Sequence, residues 1–201
     1  MKKGFLTALL FSFIVGCLQA QFIEKNAFYF EAGASLGTHL GASVSFNYTY
    51  NQKYSFAAGC SQLIRASKNK PDDYSSGLLG ILLLNLVKPL EETTLYDFQA
   101  GQILVLNKSG NIRLNFMGGI GFTHIKDAFN FEAVDDSFLV ENYTYSNESS
   151  NVISLLLTPR IEFTTRFYGL SISPQFIYNK ENVYFGLAIN HMVGILRPKS
   201  N

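Results

Sequence analysis

Apolar and polar residues alternate along most of this chain with a period of two. The clearest stretch runs from His39 to Tyr50. Leu40, Ala42, Val44, Phe46, Tyr48 and Tyr50 fall on one phase, and Gly41, Ser43, Ser45, Asn47 and Thr49 on the other. Successive side chains of a strand point to opposite faces, so the pattern predicts a strand with one apolar face and one small or polar face. Seven further segments repeat it: 28–36, 54–61, 96–104, 112–123, 153–163, 170–176 and 184–195. Each is close to the ~9–11 residues that a tilted strand needs to cross a bilayer. The longest apolar run after residue 20 spans residues 77–87 and contains Asn85. That is short of the ~18 residues of a spanning helix. A chain that crosses a membrane without such a helix must close its strands into a ring, so that every backbone group finds a partner. The pattern therefore predicts an all-β fold, an eight-stranded antiparallel up-and-down transmembrane β-barrel.

The connections sort into two kinds. Residues 51–53, 107–110 and 164–166 are short, whereas 66–94 and 125–150 are long. With eight strands and both termini in the periplasm, the three short turns share the periplasmic side and both long connections lie outside, as such barrels require. A ninth strand at Leu78–Val87 would break this parity and does not alternate, so that segment is assigned to an outer loop, as a short helix or a strand extension. Aromatics fall where interfacial girdles belong. Tyr48, Tyr50 and Tyr54 flank the first short turn, and Phe163 and Phe167 the third. Phe122, Phe176, Tyr178 and Phe185 lie near the opposite rim. Alternation alone does not separate a lipid-facing surface from the core of a soluble β-protein, which stands as the competing reading.

Composition sharpens this picture. The 201 residues are 47% hydrophobic, 14% aromatic without tryptophan, and only 15% charged, with a formal charge of +1. No basic face for nucleic acid follows from that balance. Residues 1–20 read as a signal peptide. Lys2 and Lys3 form a basic start, Phe5 to Val15 an apolar stretch, and Leu18-Gln19-Ala20 a cleavage site. An alternative processing site, Ile14-Val15-Gly16-Cys17, would make Cys17 a lipidated N-terminus. Removing Lys2 and Lys3 from the 16 basic residues leaves 14 against 15 acidic ones. Cys60 is then the sole cysteine, so no intrachain disulfide is expected, and no zinc-like Cys/His spacing occurs. No cofactor or metal is expected.

Six charged residues fall on the polar phase: Glu31, Asp97 and Glu162 against Arg65, Arg113 and Arg160. An eight-stranded barrel is just wide enough to be filled by its own side chains, and enclosed charges must pair. The expectation is an ion-pair network plugging the lumen. The alternative places Arg65 and Glu162 at strand ends in water. Glycines on the same phase, such as Gly33, Gly59 and Gly121, make room for large neighbours. His39 falls at a tight turn, His124 at a strand end near the outer rim, and His191 on the lipid-facing phase. None has a serine two residues away, so no nucleophile–base constellation is read and no enzyme is expected. Residues 125–150 carry Lys126 against Asp127, Glu132, Asp135, Asp136, Glu141 and Glu148, with five aromatics. They are read as a solvated loop or a β-extension above the membrane.

The signal ending in Leu18-Gln19-Ala20-Gln21, the strand Asn111 to Phe116, the strand end Gly118-Gly119-Ile120-Gly121-Phe122 and the closing Val183 to Leu187 together resemble small outer-membrane barrels of the Bacteroidota type. Many outer-membrane barrels end on an aromatic read by the assembly machinery; this chain runs on through Arg197 to Asn201. The resemblance implies an outer-membrane location, with outer-membrane lipid and the barrel assembly machinery as partners. The expected function is structural or interaction-based, through an unidentified extracellular partner of the outer loops. A narrow channel for small solutes and a soluble periplasmic barrel for an apolar ligand are the alternatives.

Overall fold

The computed structural model describes residues 26–77, 89–134 and 141–197. The expected signal peptide, Cys17 and most of the apolar segment 77–87 lie outside these residues.

Eight strands follow one another around a closed ring: β1 (Ala27–Gly37), β2 (Leu40–Tyr50), β3 (Tyr54–Ala66), β4 (Leu90–Val105), β5 (Ile112–Ala133), β6 (Tyr143–Thr164), β7 (Tyr168–Tyr178) and β8 (Val183–Ile195). Every neighbour is antiparallel, and β1 pairs with β8 to close the barrel. Closure leaves no sheet edge within the ring, which is the physical advantage of this architecture. The predicted count and connectivity are those observed.

The alternation read from sequence appears as two surfaces. Phe30, Val44, Phe98, Ile120, Ile153, Phe185 and Ile189 project outward, with Phe30 67% and Ile153 74% exposed. Their strand neighbours Glu31, Ser45, Gln99, Gly121, Ser154, Tyr184 and Asn190 face the lumen. An apolar surface this continuous exceeds what a protein keeps toward water. Aromatic pairs reinforce it across strands: Phe28 stacks on Tyr48 with centroids 5.1 Å apart, and Phe30 meets Phe46 edge-on at 5.3 Å.

The first short turn is held by Lys53 N–H donating to Tyr50 O at 3.1 Å, with Asn51 and Gln52 both at positive φ. That is the backbone of a primed turn, whose twist matches the strands it joins. Glycine is required at one seam position. Gly194 sits at φ +147, and a Cβ there would meet Phe28 O at 2.4 Å and Tyr29 Cα at 2.7 Å, on the strand that closes the ring.

The long connections are shorter than the sequence suggested. β3 and β4 bound a connection of residues 67–89 rather than 66–94. Most of 125–150 is strand: β5 and β6 pair from Ile112↔Phe163 to Ala133↔Tyr143, well past the level where β4 stops pairing at Glu92↔Lys126. The reason is chemical. Phe, Thr and Tyr keep β-propensity in this stretch, but beyond Ala128 no described residue of it is buried, so the apolar alternation that marks a half-buried strand is lost. One irregularity interrupts the extension between Phe129 and Glu132, where Asn130 takes φ 52, a conformation Asn tolerates better than most residues.

Candidate functional site: the filled lumen and its mouth

The lumen is built in layers. Nearest the short-turn end, Arg113 and Glu162 face each other directly in the β5–β6 ladder. Arg113 Nε and Nη2 both donate to Glu162 Oε2, at 2.9 and 2.5 Å, and Nη1 donates to the carbonyl of Leu196 at 3.0 Å. Asn115 Nδ2 donates to the other carboxylate oxygen at 2.9 Å and is itself held by Ser55 Oγ at 2.6 Å. Both charged side chains are almost wholly buried. A buried pair is tolerated when its remaining donors and acceptors are satisfied, and here three strands and the end of β8 supply them.

A second pair crosses the lumen. Arg160 on β6 binds Glu31 on β1, and the same guanidinium donates to Asn47 Oδ1 at 3.1 Å. Ser171 Oγ donates to Glu31 at 2.9 Å, and Asn190 Nδ2 donates to that serine at 3.0 Å. Asp97 stands apart. Its described partner is Gln99 Nε2 at 2.7 Å, with no arginine within salt-bridge distance among the described residues. Gln99 in turn accepts from Thr158.

Above these polar layers an apolar cluster shares the lumen with a buried hydroxyl pair, Thr123 and Ser154, 2.5 Å apart. Leu63, Leu95, Leu156, Ile177 and Tyr184, from five different strands, form one buried cluster across it. This layer separates the ion pairs from the mouth.

The mouth is polar again. Arg65 pairs there with Glu91, a residue outside the predicted set. Arg65 Nη2 also donates to Asn182 Oδ1 at 2.7 Å, Asn182 Nδ2 donates to Glu91 at 3.0 Å, and Lys68 Nζ donates to Asn182 Oδ1 at 2.8 Å. His39 is buried against the other side of the carboxylate, with Nε2 3.2 Å from Glu91 Oε1 and Nδ1 3.0 Å from Thr38 Oγ1. A hydroxyl, an imidazole and a carboxylate are therefore in line. The carboxylate is shared by Arg65 and Asn182, however, and the hydroxyl accepts a backbone N–H from Phe185 at 3.3 Å. The array ties the β1–β2 turn to β4 and β8. Glu91 was missed because the fourth strand was read as beginning at Tyr96. Continuing the alternation backward from Asp97 through Leu95 and Thr93 reaches Glu91 on the lumen phase.

The other two histidines are on the outside. His124 lies within β5 rather than at a strand end, and its Nδ1 is 2.9 Å from Asn151 Oδ1. His191 faces outward near the short-turn end, 2.7 Å from the Tyr168 hydroxyl. Cys60 is a free thiol on the outer wall. Among the described residues no group of side chains has the arrangement of a metal site.

Beyond the mouth, the β5–β6 extension stands as a two-stranded ribbon. The chain after β3 braces it. Asn69 Nδ2 donates to Ala128 O at 3.2 Å, Asn142 N–H to Ser75 O at 3.1 Å, and the Tyr143 hydroxyl to Asp73 at 2.9 Å. Tyr74 stacks on Tyr143, with ring centroids 6.5 Å apart. Burial, then the nearby Glu141 carboxylate, pushes the Tyr74 phenol above its ordinary range. The bond to Asp73 does the same for Tyr143.

No protein-family profile and no curated protein matches the chain. Solved structures do. The N-terminal β-barrel domain of Pseudomonas aeruginosa OprF aligns with a TM-score of 0.54 at 10% identity, over 86% of this chain and 98% of that one. A major outer membrane protein from Thermus thermophilus aligns with a TM-score of 0.58 at 11% identity, over 83% and 99%. At such identities the likeness is one of fold, the eight-stranded barrel of outer-membrane proteins.

Proposed function

We propose that this protein is an integral outer-membrane β-barrel with an occluded, charge-paired lumen, and that its role is structural or interaction-based through the elements at its mouth. The observation that carries this reading is the contrast between lumen and mouth. Two ion pairs and an apolar layer fill the ring, while chain length is invested in a braced ribbon outside it. The continuous apolar outer wall fits the hydrocarbon of a bilayer. It also disfavours the soluble alternative, in which the apolar phase would line an internal cavity. Export by the expected signal peptide, residues 1–20, is part of the same proposal.

Two measurements test the reading. Closed barrels keep a continuous ring of backbone bonds, so membrane-extracted protein run in SDS without boiling should migrate differently from boiled protein. No shift, with the chain in the soluble fraction, would return the soluble barrel. In planar bilayers the protein should give no stepwise single-molecule conductance. Regular conductance steps from the native protein would replace the occluded reading with that of a narrow channel.

A further inference from the structure

The ribbon has two edges, and they are treated differently. On the β5 side, Asn69 Nδ2 donates to Ala128 O at 3.2 Å and to Asp127 Oδ2 at 3.1 Å, so the chain after β3 meets that edge at its base. On the β6 side, pairing with β7 begins only at Leu155↔Tyr178. From Thr144 to Asn151, β6 pairs with β5 alone, and no other backbone hydrogen bond reaches it among the described residues. Alternate N–H and C=O groups along this stretch face outward. Natural edges are commonly guarded by charged side chains, above all lysine, by proline or by a bulge. Thr-Tyr-Ser-Asn-Glu-Ser-Ser-Asn has no lysine or proline and a single charge, Glu148, and the ribbon's one irregularity is on β5.

We propose that the β6 edge from Thr144 to Asn151 is a docking site for an extended, basic segment of another polypeptide, which adds as a further strand. This rests on the surface-barrel reading above. A charge argument selects the basic partner. The described ribbon carries Asp127, Glu132, Glu141 and Glu148 against Lys126 alone; Glu181, beside the edge with Ser150 Oγ on its carboxylate at 2.6 Å, is balanced by Lys180 at 3.9 Å and adds nothing to this count. A geometric argument removes a second copy in the same membrane. Barrel strands tilt ~35–45° from the membrane normal. Two copies related by a rotation about that normal would bring their β6 edges together crossed at about twice the tilt, whereas ladder pairing needs them nearly parallel or antiparallel. Main-chain bonds would supply affinity, and alternate side chains the selectivity.

The test uses the full-length protein in lipid nanodiscs and a synthetic peptide of about ten residues, alternating lysine with valine or threonine. Backbone amide exchange is followed along β6. The expected result is about tenfold slower exchange at alternate amides between Thr144 and Asn151. A peptide of the same sequence with every second amide N-methylated keeps the charge and loses one bonding edge, and it should give no protection. Equal binding of both peptides, or no protection with either, overturns the proposal. A retained heat shift in SDS and a silent bilayer would show that the surface-barrel reading survives such a failure.

Discussion

At the scale of single residues, the lumen shows what a buried charge requires. Glu162 accepts from both Arg113 and Asn115, and its carboxylate is fully enclosed. Glu162→Gln keeps the shape but leaves the Arg113 cation without its counter-charge. Breaking a buried pair from one side costs about 3–5 kcal/mol. The expected outcome is a lower urea midpoint for unfolding from detergent or vesicles, with an intact ring at low denaturant. An unchanged midpoint would mean that the pair is not enclosed. The Tyr143–Asp73 bond gives a pH effect of known sign. The neutral phenol is the donor, and its pKa is raised in the folded state. The bond therefore contributes fully below the ordinary phenol pKa and is lost as pH rises through the higher folded value. Titration by phenolate absorbance should show a late-ionising tyrosine that Tyr143→Phe removes.

At the scale of elements, strands inside the ring were legible in the sequence because each divides an apolar wall from a lumen. Period-two alternation marks that division, and it located Glu31, Arg113, Arg160 and Glu162 on the inner phase. It faded where a strand no longer separates two environments. Between Phe129 and Ser150 no described residue of the β5–β6 hairpin is buried, and the sequence left this stretch open between a solvated loop and a β-extension. The start of β4 was lost for another reason: Glu91 and Thr93 point inward and Glu92 and Thr94 outward, so both phases are polar although the inner one is buried, and Glu91 was missed although Arg65 was found. Partners were less legible than phases, since alternation says which way a side chain points and not what it meets across the lumen. Asp97 shows this: it lies on the expected phase and takes Gln99 as its partner. The β8–β1 seam offers a test at this scale. Gly194→Ala places a methyl group against the backbone of β1 at a positive φ. It should cost about 1–3 kcal/mol, seen as a lower temperature for losing the fast-migrating band in SDS.

At the scale of the whole molecule, the proposed occlusion has an apolar level above its ion pairs. Leu63, Leu95, Leu156, Ile177 and Tyr184 separate the mouth from the charged lumen. Truncating Leu95 and Leu156 together to alanine removes two walls of that layer. With both ion pairs and the buried Tyr29 and Met192 still below, the double variant should stay folded and stay silent in bilayers. Regular conductance steps would place the whole seal in the apolar level.

The two lumen ion pairs also differ in when they can exist. Arg113 and Glu162 sit opposite each other in one hairpin, so they can meet as soon as β5 and β6 pair. Arg160 and Glu31 are 129 residues apart and belong to strands on different sides of the lumen. Contacts of such separation form late, because the intervening chain must first be ordered. The first pair is thus compatible with a half-built sheet, while the second records that the sheet has curled round on itself. Glu31→Gln should leave early hairpin formation in vesicles unchanged and speed the reopening of the finished ring, making this carboxylate the clasp that turns a curved sheet into a persistent cylinder.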